Sequence, residues 1–401
     1  MANAVTTDDK LVSIAAFATA ATPIFDKLQQ NVSQEFTAGS SDTIRVELDG
    51  YPIFTDGATV SADSDILIKD VDVTLGVIAT TMSVSLMNKA LDLESFDRQV
   101  GKPAGIAYAS RVENKLAEEV IYNAENVSVS AGTFGQLSAV QSAIEDTKLG
   151  KQLIGFLPPS LYNVISTSGV NLFGQSLGEK LYAGELGNYL GCDYFKSTDL
   201  PVIKTGAVVP TTSTTVTATV NTDGATQLAL GTLSAATGTL AKGTVFALAG
   251  VHTKNLLGQN TAQPRYFVVK EDATVVGSAA TVTVSPIYFS KASGTQDPRA
   301  NVSVASISSG TAVSIAPMTA NSTYLCGIVF DPAVVAYGAK GLEKFEDQGA
   351  ASSSMVAGSV SLRIGRTSNM NDGSQKIRLD GMVGFKTVLA KGTGITLYKV
   401  A

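Results

Sequence analysis

Apolar and polar residues alternate from Thr43 to Asp49, with Ile44, Val46 and Leu48 set against Arg45, Glu47 and Asp49. The same period of two returns at Val71, Val73, Leu75 and Val77. Successive strand side chains point to opposite faces, so each run predicts a strand with one apolar face. The stretch between them is polar and carries the turn signal Asp56-Gly57. Together they predict a long two-stranded arm. An isolated hairpin is marginal in water. The arm therefore needs a neighbouring chain to cover Ile44, Val46 and Leu48.

Helical spacing dominates from Leu91 to Asn123, where Val112, Leu116 and Val120 share a face and Lys115 and Glu119 stand four apart. Pro103 suits the first turn of the continuous part, which predicts a rod of roughly 30 Å. Thr133 is placed to cap a second helix through Leu137, Val140 and Ile144. Leu153–Leu157 reads as a buried strand, with a helix opening at Ser160 and a loop from Ser166 to Asn171. Thr323–Phe330 is an apolar strand, after which Asp331 caps a helix with Pro332 in its first turn. Strands follow at Leu362 and Ile364, at Ile377 and Leu379, from Val383 to Leu389, and from Ile395 to Val400, with the last turn at Lys391–Gly394. At the N-terminus Thr6, Thr7 and Asp8 offer caps for a helix with Leu11, Ile14, Ala15 and Phe17, broken by Pro23. Asp8 and Asp9 form an acidic pair at that helix start, where the dipole favours anions.

Between Val208 and Pro317 the chain changes to Thr, Val, Ala, Ser and Gly with few charges, in short strands and tight turns. Neither flank reads as complete alone. The pattern predicts an α+β protein with an all-β segment inserted into it. At 401 residues the chain suffices for two or three domains and needs no disulfide or metal staple.

Net charge is −6, and no Lys/Arg-rich run appears. Proteins that grip nucleic acid do so by neutralising phosphates, so this chain is not built to bind DNA tightly. Two cysteines, Cys192 and Cys326, lie far apart, and there is one histidine. That excludes the usual zinc arrangements and reads as two reduced core cysteines. No run of about 18 apolar residues predicts a membrane span. The apolar patch Leu11–Ala21 follows Asp8 and Asp9 rather than a basic segment, so an arm is expected there instead of a signal peptide.

Gly174-Gln175-Ser176-Leu177-Gly178 has the spacing of a hydrolase nucleophile elbow, and Asp193 or Asp199 with His252 would complete the order. The elbow requires a buried strand running into the serine. A loop is expected there, and His252 falls in the charge-poor segment as a plain loop histidine. Ala241-Lys242-Gly243-Thr244 lacks the Gly-Lys-Ser/Thr ending of a phosphate loop and reads as a β-turn. No catalytic residue, cofactor or metal is assigned. The Ser/Thr-rich middle leaves one non-enzymatic alternative open, a secreted surface or adhesion protein.

Several segments resemble the major capsid proteins of short-tailed double-stranded DNA bacteriophages of the P-twenty-two group. They are Ser110–Ala117 on the long helix, Lys196–Val202 before the insert, Lys242–Val251, Leu257–Asn260 and Arg265–Val269 inside it, and Arg299–Val302 near its end. The resemblance implies an HK-ninety-seven type fold with an inserted β-barrel. It divides the chain into an N-terminal arm (1–34), an E-loop (35–80), a P-domain with spine helix (81–130), an A-domain (131–204 and 319–350), the inserted barrel (205–318) and C-terminal strands (351–401). It implies a structural role: many copies form capsomers and an icosahedral shell around DNA. A scaffolding protein serves during assembly in the bacterial cytoplasm, and a portal protein sits at one vertex. Asp8 and Asp9 are the candidates for the scaffold contact. Asp223, in the turn Asn221–Gly224, is the candidate for a contact between capsomers. The arm offers only Lys69 near its base, so a shell without covalent crosslinks is expected.

Overall fold

In the computed structural model the described residues are 14–15, 28, 30–32, 42–48, 65–66, 68–84, 97–129, 132–150, 152–170, 187–189, 191–289, 295–342, 352–356, 362–368 and 375–400. Asp8, Asp9, the Asp56-Gly57 turn and the Gly174–Gly178 motif lie outside them. The chain forms two compact units. The first comprises 1–46, 72–116 and 335–386; the second comprises 47–71, 117–334 and 387–401.

The long helix, α1, is Lys102–Asn123, preceded by a π-helical turn at Asp97–Gly101. Its 22 residues make a rod of about 33 Å. Within the first unit Ala104, Tyr108 and Val112 pack with Ile14, Tyr337, Leu362, Ile364, Ile377, Leu379 and Val383. Much of that core lies on a six-stranded sheet. Its order is Gln30–Asn31, Val335–Lys340, Gln375–Thr387, Leu362–Ser368, Ser352–Val356, with Gly76–Val84 also paired to Gln375–Thr387. Two sequence expectations change here. The alternating run Val71–Val77 is not one strand: it breaks at Leu75 into Lys69–Thr74 and Gly76–Val84, which join different sheets. The C-terminal apolar runs at Ile377–Leu379 and Val383–Leu389 form one long strand to Thr387, with Gly381 and Gly384 inside it. A side chain at 384 would collide with the backbone of Thr74 and Leu75, so glycine permits that close approach.

The two runs predicted to flank the arm do pair. Thr43–Leu48 pairs with Lys69–Thr74 in a sheet of two strands. The Thr43 and Thr74 hydroxyls lie 3.2 Å apart, and Arg45 meets Asp72 at 3.3 Å in water. Ile44 and Val46 stay half-buried, whereas Leu48 is buried.

In the second unit a seven-stranded sheet runs Asn126–Val129, Thr393–Lys399, Thr323–Phe330, Leu153–Leu157, Cys192–Lys196, Gly187–Tyr189, with Val202–Lys204 also paired to Thr323–Phe330. The helices α2 (Phe134–Glu145) and α3 (Pro159–Val170) supply Phe134, Leu137, Val140, Leu161 and Ile165 to its core, beside Val329. Thr133 occupies the cap position of α2 as expected, but its hydroxyl makes no cap bond. The loop expected at Ser166 is helical through Val170. There the hydroxyls of Ser166, Thr167 and Ser168 donate to the carbonyls of Tyr162, Asn163 and Ile165, so the polar side chains satisfy themselves along the helix. The helix expected after Asp331 shrinks to one 3-10 turn, Pro332–Val334, before the chain enters a strand. Asp331 caps that turn, accepting from Ala333 N, and also accepts from Gly150 N, both at 2.9 Å.

The segment from Val208 to Ala316 has its own core. Val216, Leu228, Leu230, Phe246, Leu248, Phe267, Val282, Val284 and Val302 are among its buried members, and every residue of that core comes from this segment. Its strands form small antiparallel sheets: Thr215–Val216, Ala225–Gly231 and Ala280–Ile287; Thr237–Leu240 with Ala273–Val276; and Asn260–Val268, Val245–Lys254 and Val313–Ile315. Both ends leave the seven-stranded sheet together. Lys204 is paired with Thr323, and Thr205 N donates to Ser322 O at 3.0 Å. His252 is a strand residue in Val245–Lys254, not a loop residue: it pairs with Pro264 of the adjacent strand, and its backbone N–H donates to Ser303 Oγ at 3.0 Å.

Phe246 is fully buried and stacks on Phe267 with ring centroids 5.6 Å apart. Phe246→Ala should destabilise this segment by about 3–5 kcal/mol through lost burial and a residual cavity. Urea unfolding of the purified protein, followed by hydrogen exchange at strand 245–254, measures it. A loss under about 1 kcal/mol would mean that the two rings are not at the centre of this core.

Candidate functional site

The described residues hold no group of three His, Cys, Asp or Glu able to bind a metal, and no helix among them is long and apolar enough to cross a membrane. Cys192 and Cys326 are free and buried, as expected. Burial pushes the Cys192 thiol up to about 12, which leaves it unreactive. The unusual chemistry lies elsewhere, where the β-rich segment meets the seven-stranded sheet.

Glu125 stands between the end of α1 and the strand Asn126–Val129, and it is completely buried. Arg265, also completely buried, lies on strand Asn260–Val268 of the β-rich segment. Arg265 Nη2 donates to Glu125 Oε1 at 3.2 Å and also reaches Ser285 Oγ and Pro286 O. Its guanidinium rests over the Phe267 ring, 4.5 Å from the centroid. Asn301 Nδ2 donates to the same Glu125 oxygen at 2.6 Å. Asn301 is itself fixed, since Tyr288 N donates to its Oδ1 at 2.8 Å and Asn301 N donates to Tyr288 O at 3.0 Å. The Asp297–Arg299 ion pair at 3.0 Å, with Arg299 over the Tyr288 ring, stiffens the loop that carries Asn301.

Lys391 completes the group from the last turn of the chain. Its Nζ donates to the carbonyls of Asn255 and Ala300, both at 3.4 Å, inside the β-rich segment. Asn126 Nδ2 holds the backbone of that turn through Lys391 O and Thr393 O. Burial lowers the Lys391 ammonium to about 8, although Glu125 and Asp297 oppose the shift. Burial likewise raises the Glu125 carboxyl, against Arg265, Lys391 and the hydrogen bond from Asn301. Arg265 Nε and Nη1 and Glu125 Oε2 have no hydrogen-bond partner among the described residues. Removing one partner of such a buried pair is costly, because the other charge then stays uncompensated.

Neutral bonds surround the charges. Tyr266 N donates to Glu125 O and Leu256 N to Thr147 O, both at 3.0 Å. Gln263 Nε2 reaches Asp146 Oδ2 at 3.0 Å, Lys270 Nζ reaches Asn123 Oδ1 at 2.7 Å, and Lys242 sits over the Tyr122 ring. The arrangement has a donor and acceptor set that fixes one part of the unit against another. It presents no nucleophile with a base.

The residues singled out from sequence scatter. Ile44, Val46 and Leu48 are on the arm base, and Asp223 is at an exposed turn. Asp223 Oδ1 accepts from Phe289 N at 2.9 Å, so its carboxylate helps to close its own segment. Asp193 and Asp199 lie outside the β-rich segment that carries His252, and the serine of that candidate triad is outside the described residues. Arg265, Asn301 and Lys391 belong to segments noted in the sequence, but Glu125 carries no sequence signal at all.

No family model matches the chain, and no curated protein matches it. Solved structures do. The mycobacterium phage Che8 structure shares 12% identity over 93% of this chain and 90% of its own, with a TM-score of 0.46. The capsid structure of the cyanophage P-SCSP1u shares 10% over 94% and 88%, at 0.44. The acidic stable capsid structure of Helicobacter pylori bacteriophage KHP30 shares 8% over 94% and 91%, at 0.46. The chain is similar to phage capsid proteins. That likeness is distant, and the chemistry has to be read from this chain's own residues.

The charge cluster makes a pH prediction. Lys391 has an ordinary value of 10.5 when unfolded and about 8 when folded. Between those values the unfolded chain binds more protons, so stability rises with pH across the window and is lowest below it. The contribution amounts to about 3 kcal/mol at most. Urea midpoints of wild type and Lys391→Met, compared from pH 7 to pH 10, should rise more steeply in the wild type. Parallel curves would mean that the ammonium is solvated.

Proposed function

We propose that this chain is a major capsid protein: a structural, non-enzymatic subunit that assembles in many copies into an icosahedral shell around phage DNA. The observation that carries the reading is the order of parts, which agrees with the sequence resemblance. A two-stranded arm base, a long helix beside a sheet, and a second sheet with a β-rich segment inserted at one point follow one another along the chain. In this reading the segment 205–318 is the inserted barrel, since its two ends leave side by side and its core is its own. The same reading takes 35–80 as the E-loop and α1 as the spine helix. The alternative of a Ser/Thr-rich adhesion protein has no observation in its favour. The small residues that suggested it alternate with the buried positions of a packed β core.

The arm supplies the mechanism of assembly. Its paired strands leave Ile44 and Val46 half-exposed, and the neighbouring residues Ile68 and Val77 are 60% and 51% exposed. Such surface gains by burial under another copy. Each contact is weak, and a closed lattice multiplies it. A net charge of −6 lets the shell hold DNA without gripping it.

Electron microscopy of the purified, concentrated subunit should show closed shells or capsomers, and a persistently monomeric protein would count against the reading. Val46→Asp should give soluble, folded subunits that fail to assemble, because the charge stays in water in the monomer and is buried unpaired in the shell. Unfolding of the monomer would place Val46 in the subunit's own core instead. For the scaffolding partner, Asp8→Lys with Asp9→Lys should weaken scaffold-dependent assembly most at low salt, where exposed charges act furthest. Unchanged assembly there would remove that acidic pair from the contact. A portal protein at one vertex is part of the same proposal.

A further inference from the structure

The core of the β-rich segment draws only on residues of 208–316, and the core between α2, α3 and the seven-stranded sheet draws on none of them. What joins the two regions around the cluster is polar: the buried Glu125–Arg265 pair, the Asn301 bond, Lys391 on two carbonyls, and the backbone bonds from Tyr266 N and Leu256 N. An apolar seam would weaken gradually as side chains are trimmed. A seam organised around one buried carboxylate depends on that charge.

We propose that Glu125 is an electrostatic latch: its carboxylate seats the segment 208–316 on the rest of the unit, and neutralising it unseats the segment while both cores stay folded. The geometry gives the reason. Among the described residues Glu125 Oε1 is the only carboxylate oxygen bonded to Arg265, and Ser285 Oγ and Pro286 O are neutral acceptors on the same Nη2. Without the negative charge, Arg265 is a buried cation with no counterion and has to move towards water. It sits on strand Asn260–Val268, beside the Tyr266 amide that bonds Glu125 O, so its departure pulls that strand edge away. The inference concerns the subunit alone and holds whether or not the shell reading does.

The test uses soluble full-length subunits. Glu125→Gln keeps the side-chain shape and the acceptor for Asn301 and removes only the charge. Amide hydrogen exchange at Tyr266 and Leu256 should speed up by at least tenfold. Amides inside Val245–Leu248, Ala280–Ile287 and Thr323–Phe330 should keep wild-type rates. Glu125→Gln combined with Arg265→Met removes both charges and should restore slow exchange at Tyr266 and Leu256. Unchanged exchange in the single variant overturns the latch. So does a loss of protection throughout the unit, which would make the junction part of one cooperative core. Persistent opening in the double variant also overturns it, since shape and not charge would then hold the seam.

Discussion

A guanidinium and a carboxylate buried together impose the tightest constraint in this molecule. Arg265 and Glu125 come from positions 140 residues apart and have no access to water. Dehydrating two charges costs several kcal/mol for each, and their attraction repays this only when geometry and further bonds are good. The chain supplies those bonds from every side. Asn301 reaches the same carboxylate oxygen, Ser285 and Pro286 take the guanidinium, and Phe267 offers a ring face. Each of those residues is in turn held by its own neighbours. The loop 297–301 is braced by Asp297 and Arg299, and the last turn is held by Asn126.

A second buried acid obeys the same rule in the other unit. Asp380 is fully buried and takes two bonds from Arg363, both 2.8 Å, and a third from Arg378 at 3.0 Å. Arg363 and Asp380 are paired across neighbouring strands, so the sheet register itself brings the fork to the carboxylate. Tyr108 on α1 feels both its burial and Asp380, which hold its phenol well above the ordinary range. The two acids differ in how they are reached. Asp380 is served by its own sheet, whereas Glu125 is served by a segment inserted far along the chain.

On strand Thr43–Leu48 the side chains of Ile44 and Val46 are half-buried and need no such partner. A buried ion pair selects against packings that separate its partners, because each leaves an uncompensated charge. A seam built this way is specific, and its specificity rests on few atoms.

Much of the architecture was legible in the chain. Period-two runs marked the arm, spacing of three and four marked α1 and α2, and the loss of charge after Val208 marked the β-rich segment, because these patterns report directly which face is buried. The strands Leu153–Leu157 and Thr323–Phe330 fall where continuous apolar runs placed them. What failed was local: Ser166–Ser168 read as a loop because hydroxyls favour turns, yet here they bond back along α3. Val71–Val77 read as one strand because periodicity does not reveal which partner each half will take. The charge cluster was beyond the sequence. Glu125 is one acid after a helix, and only the tertiary fold brings it to Arg265, Asn301 and Lys391. Local pattern fixes which face of an element is buried, but the partner of a buried charge is chosen by long-range packing.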